Sequence, residues 1–145
     1  MPDLRFERDL DISAPDLWDF ITTTEGLLKW WGPEGVTVPE YDMDFTRTGP
    51  WYSVMVGGSG QRYKVSGMVT DVRPKRSVSY TWAWHDEADK RGTESRVRMS
   101  VSELGADRSR FVLEHLGLAD SEAAGKHDEG WTSCLKKMES VLAPV

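Results

Sequence analysis

His85, His115, His127 and Cys134 are the side chains here with the chemistry to move a proton or form a covalent bond near neutral pH. Tyr52, Tyr63 and Tyr80 add hydroxyls that could orient a substrate, although tyrosines in strands also pack simply as amphipathic rings. Among these, His115 stands out. A neutral imidazole offers one donor and one acceptor, so it could serve as a general base or anchor a ligand oxygen. The alternative is a buried ring satisfied by a tyrosine or a backbone carbonyl. The other groupings carry less. The three histidines fall on three separate elements without His-x-x-x-His or Cys-x-x-Cys spacing, which leaves a metal site unsupported. His127-Asp128-Glu129 reads as a solvated helical turn, and Cys134 beside Leu135 as a small buried apolar residue. Gly57-Gly58-Ser59-Gly60 lacks the lysine of a phosphate loop and opens no helix, so it is a hairpin turn.

The elements that would position His115 follow from periodicity. Phe6 to Ile12 alternates as a strand with Phe6, Arg8, Leu10 and Ile12 on one parity, Arg8 being the exception on an apolar face. Ser13-Ala14-Pro15 supplies a capping serine and a first-turn proline for a short helix carrying Leu17, Trp18, Phe20 and Ile21. Thr22-Thr23-Thr24 ends it, and a second short helix is expected from Glu25 to Trp31, broken by Gly32-Pro33. A meander follows, with strands expected over Pro50 to Val56, Tyr63 to Val72, Val78 to Trp84, Val97 to Val101 and Phe111 to His115. Gly67, in the middle of the second of these, predicts a bulge or sharp bend. The last helix begins around Asp120, with Trp131, Leu135, Met138 and Leu142 on one stripe.

This order predicts an α+β architecture: a curved antiparallel sheet of about six to seven strands around a long C-terminal helix, in one domain spanning residues 1–145. Strand parity then gives a pocket. Tyr52 and Val54; Tyr63, Val69 and Asp71; Tyr80 and Trp82; Val97 and Met99; and Phe111, Leu113 and His115 face inward, closed by Trp31, Trp131, Leu135 and Met138. An inward Asp71 would be costly without a partner, whereas a parity change near Gly67 would expose it. The lining is aromatic with few polar groups, the usual composition of a small-molecule site.

Composition bounds the partners. Apolar residues make up 39% and charged residues 29% of the chain, as in an ordinary globular protein. A net charge of −6 and a pI near 5.1 argue against nucleic acid, which demands a basic face, and disfavour an anionic membrane surface. A single cysteine cannot form an internal disulfide, and the charged start from Asp3 to Asp9 does not resemble a signal peptide. A cytoplasmic protein is expected. Seven tryptophans in 145 residues is high; each taken singly reads as core filling, and as a group they suggest pocket walls.

The motifs resemble a known family over nearly the whole chain. Ser13-Ala14-Pro15 with Leu17-Trp18 is similar to the start of the first helix in the START-like, Bet v1-type helix-grip superfamily. Within it, Trp30-Trp31-Gly32-Pro33 is similar to the Trp-Trp-Gly-Pro signature of the group named after the activator of the Hsp90 ATPase. Gly67 to Pro74 followed by Val78 to Trp82, and Phe111 to Gly117 with Gly130-Trp131, resemble that group's later strands and final helix. The chain departs from the pattern at Gly49, followed by Pro50 instead of glycine, and at Asp71, where the family carries Glu. The resemblance implies a cavity that binds a small apolar, aromatic or lipid-like molecule. Two alternatives come with it: a cyclase, dehydratase or hydrolase using His115 as acid/base with a tyrosine orienting the substrate, or a stress-related module acting on a chaperone ATPase. No cofactor is implied. A broad exposed patch at Trp30 and Trp31 would point to a homodimer.

Overall fold

The computed structural model describes residues 3–142. Strand β1 (Leu4–Leu10) is followed by helices α1 (Ala14–Thr22) and α2 (Thr24–Leu28). Six strands come next: β2 (Thr37–Asp42), β3 (Gly49–Val56), β4 (Arg62–Arg73), β5 (Ser77–Trp84), β6 (Ser95–Gly105) and β7 (Arg108–Leu116). Helix α3 (Ser121–Leu142) closes the chain. All strands lie in one antiparallel sheet in the order β1-β7-β6-β5-β4-β3-β2. Short hairpins give the β2-to-β7 meander, and β1 returns to pair with β7. This is the helix-grip arrangement, with α3 seated on the concave face through Trp131, Leu135 and Met138. Among the described residues no helix is long and apolar enough to cross a membrane.

Local chemistry accounts for the short helices. The Ser13 hydroxyl accepts from the Asp16 N–H at 3.3 Å, capping α1. At its far end the Thr22 and Thr23 hydroxyls donate to the carbonyls of Trp18 and Asp19, at 2.6 and 2.7 Å. Thr23 also caps α2 by accepting from Gly26 N–H. Helix α2 ends at Leu28, earlier than the expected Trp31. There the Lys29 N–H tightens onto the Gly26 and Leu27 carbonyls, and the chain turns to bury Trp30 and Trp31. Gly32, at φ +82°, continues the turn in a conformation that L side chains resist. Arg8 does lie on the inward parity of β1, and its guanidinium reaches Glu139 of α3 at 3.1 Å.

Two strands differ in parity from the sequence expectation. In β3 the inward set is Trp51, Ser53 and Met55, so Tyr52 and Val54 face the opposite side of the sheet. The pattern misled because a serine sits on the core side. Ser53 is buried there to accept the Trp31 indole N–H at 3.0 Å. In β4 the register shifts between Val69 and Asp71, a bulge that turns Asp71 outward to pair with Arg73 at 3.4 Å. Gly67 serves a different purpose from the expected bend. A Cβ there would lie 1.9 Å from the Thr81 carbonyl oxygen, so only glycine permits this close approach of β4 to β5.

Candidate functional site

Helix α3 does not cover the sheet uniformly. Its turns from Leu135 onward pack solidly, whereas the part up to Cys134 stands over an open cavity of about 590 Å³. The walls are the indoles of Trp31, Trp82, Trp84 and Trp131, with Tyr63, Met55 and Cys134 between them. Gly32 and Pro33 close one end, and exposed Asp120, Glu122 and Lys126 stand at the solvent side. A second space of about 140 Å³ lies beside it, and Trp82, Trp84, Ala123 and His127 line both.

Two indole–imidazole pairs lie at this wall, Trp84–His127 lining both spaces and Trp131–His115 set with its imidazole behind it. The Trp131 N–H donates to His115 Nδ1 at 2.9 Å, and His115 Nε2 lies 2.7 Å from the Ser95 hydroxyl. An indole nitrogen can only donate, so Nδ1 carries no proton and Nε2–H donates to Ser95. In the second pair the Trp84 N–H donates to His127 Nε2 at 2.9 Å, leaving His127 Nδ1–H to donate to the Ala123 carbonyl at 2.7 Å. Both rings are therefore neutral and hold opposite tautomers. Their centroids are 4.7 Å apart at 73°, an edge-to-face contact. Burial pushes the His115 pKa down to about 3, with neighbouring His127 lowering it further. Burial also lowers the His127 pKa, partly offset by the Ala123 carbonyl.

Helix α3 fastens the far wall. Lys137 Nζ donates to the Trp31 and Gly32 carbonyls at 3.2 and 3.1 Å, and the Glu34 N–H donates to the Ser133 hydroxyl at 2.8 Å. These contacts hold the Trp-Trp-Gly-Pro turn against the helix. Cys134 lines the cavity between them, and burial pushes its thiol up to about 12, so it is no nucleophile at neutral pH. Among the described residues no three His, Cys, Asp or Glu side chains come together to hold a metal.

A family model for the activator of Hsp90 ATPase homolog 1-like protein matches residues 11–143. This chain belongs to that family. The crystal structure of the AHSA1 protein from Silicibacter pomeroyi is 50% identical, covers 98% of each chain and superposes with a TM-score of 0.93. A protein from Chromobacterium violaceum, 18% identical over 100% of both chains, has a TM-score of 0.85. One from Mycobacterium smegmatis, 20% identical over 99% of this chain and 91% of its own, has a TM-score of 0.80. The last two likenesses are to the fold alone. None of the curated proteins matches the chain.

The AHSA1-like frame gathers only part of the residues expected to form the pocket. Trp31, Tyr63, Trp82 and Trp131 line the cavity. Val69, Tyr80, Val97, Met99, Phe111, Leu113, Leu135 and Met138 instead fill a solid core, because the sheet closes on the second half of α3 without a gap. Tyr52 and Val54 are on the other face, and Asp71 is in solvent. His115 is fully buried and does not line the cavity; with both nitrogens engaged it has no lone pair to offer a substrate. His127, expected to be solvated, is half-buried at the cavity wall. Trp30 and Trp31 are buried, so they form no exposed patch. The residues missed on α3 are Ala123, His127, Gly130 and Cys134. Their spacing of four, three and four was a second helical stripe, adjacent to the apolar one and hidden by its mixed polarity.

Proposed function

We propose that this AHSA1-like chain is a binding protein for a small apolar or aromatic molecule held between the Trp-Trp-Gly-Pro turn, β5 and the first half of α3. The observation that carries this reading is the cavity of about 590 Å³ walled by four indoles, a thioether and a thiol. Its volume lies within the roughly 300–1,000 Å³ of small-molecule sites, and its lining has their composition. A general-base reaction at His115 draws no support from the geometry, since that ring is satisfied on both sides.

Titration of tryptophan fluorescence with naphthalene, paired with native mass spectrometry of the purified chain, tests the reading. The expected result is saturable quenching that Ala123→Phe abolishes by filling the space. An absence of saturable change would overturn it.

A further inference from the structure

Three of the four indoles that line the cavity have their one polar atom engaged elsewhere, and the fourth has its own buried. The Trp31 N–H is used by Ser53 at 3.0 Å, the Trp84 N–H by His127 at 2.9 Å and the Trp131 N–H by His115 at 2.9 Å. The fourth, Trp82 Nε1, has no hydrogen-bond partner but also essentially no accessible surface, the Trp31, Trp84 and Trp131 rings standing 5.3–5.7 Å from its own. The histidines offer nothing in exchange, because the nitrogens not receiving an indole donate to Ser95 and to the Ala123 carbonyl. The Tyr63 hydroxyl, at the exposed edge, donates to Gln61 at 2.5 Å. Away from the charged rim, the side chains that remain offer carbon, the Met55 sulfur and the weak Cys134 S–H donor.

We infer that this cavity selects its ligand by shape and carbon surface alone: it takes an aromatic skeleton without a buried hydrogen-bonding atom, and any polar substituent must emerge beside Asp120, Glu122 and Lys126. The inference rests on the binding reading and sharpens it. A site built to hydrogen-bond its ligand rejects analogues lacking the polar atom; a wall whose indole donors are spent or, at Trp82, buried does the reverse, because the ligand's polar atom loses water and gains no partner. The two histidines are then positioning residues. They keep the indole N–H groups occupied.

The test compares naphthalene with quinoline, the same shape with one acceptor nitrogen, at pH 8 where quinoline is neutral. Fluorescence titration of the full chain should show naphthalene bound about tenfold more tightly, the cost of an unpartnered acceptor. His127→Leu frees the Trp84 N–H, and the preference should shrink about threefold or more; Trp84→Phe added to His127→Leu should restore it. Quinoline binding as tightly as naphthalene to the unaltered chain would overturn the inference, with the Trp82 N–H then the donor that was reached. So would a preference that His127→Leu leaves unchanged. Should His127→Leu fail to fold, the ratio in the unaltered chain decides alone. If neither probe binds saturably, the binding reading itself fails, and this inference with it.

Discussion

Trp131 and His115 are locked together across the sheet–helix interface, with the indole N–H of α3 donating to Nδ1 of the β7 imidazole at 2.9 Å. The bond joins the last strand to the last helix where both meet the cavity wall. His115 also bonds Ser95 of β6, so one side chain ties three elements. Its removal leaves a void and two buried polar groups unmatched. His115→Ala should therefore lose about 3–4 kcal/mol of stability, read from urea unfolding. His115→Gln, which can still accept the indole N–H, should lose less. Equal losses for the two would show that accepting the indole N–H contributes nothing to stability.

The same buried imidazole sets a pH dependence. Its folded pKa of about 3 lies below the usual 6.5, so at acidic pH the unfolded chain takes up a proton that the native state refuses. Stability is complete above pH 6.5 and falls as the pH drops toward 3, by about 1.4 kcal/mol per unit. His127, also lowered by burial, adds to that fall. Urea midpoints between pH 7 and about 5.5, above the carboxylate range, should drop steadily, and the drop should be smaller in His115→Gln. A flat profile would show that the rings are not held neutral.

Gly67 gives a sharper mutational expectation than any core residue. The nearest atoms to an added Cβ are the Thr81 carbonyl oxygen and carbon, at 1.9 and 2.6 Å, which are backbone and cannot rotate aside. Trp51, opposite Gly67 in the ladder, donates its indole N–H to that same Thr81 oxygen at 3.1 Å. Gly67→Ala should cost roughly 3 kcal/mol or more and disturb the tryptophan near-ultraviolet circular dichroism. A variant with an unchanged unfolding midpoint would contradict the close approach.

Cys134 should be chemically silent in the native protein. Its thiol is raised to about 12 from an ordinary 9.0, leaving on the order of a thousandfold less thiolate at pH 8. Reaction with an aromatic disulfide reagent should be slow in buffer and rapid in urea. Fast native labelling would mean that α3 lifts from the sheet at Cys134 readily enough to expose the sulfur.

The fold was legible because its signals were redundant. A capping serine, three hydroxyls ending a helix, five alternating runs and a terminal apolar stripe all agree with one order of elements. The site was less so. A strand reveals its period but not which parity is buried, and in β3 the polar Ser53 sits inward only because a distant residue, Trp31, needs an acceptor. In β4 the bulge before Asp71 leaves no local mark that separates it from Gly67 four residues earlier. The cavity itself depends on where α3 stops packing tightly, a property of the assembled layers. His127 was readable as surface because its neighbours Asp128 and Glu129 are exposed; only the helix rotation turns it toward Trp84.

Helix α3 also carries two glycines, which lead to a last expectation. Gly125 and Gly130 each weaken the helix by roughly 1 kcal/mol relative to alanine, yet a Cβ at either would meet no atom within 4 Å. Neither is required for packing. Gly125 is exposed, so Gly125→Ala should raise stability by about 0.5–1 kcal/mol and leave naphthalene affinity unchanged. Gly130 lines the cavity, where a methyl group would occupy ligand space. Gly130→Ala should give a similar stability gain together with a measurable loss of affinity. Thermal unfolding and fluorescence titration of the two variants separate these effects: a loss of affinity in Gly125→Ala as well would mean that helix flexibility, and not cavity volume, governs binding.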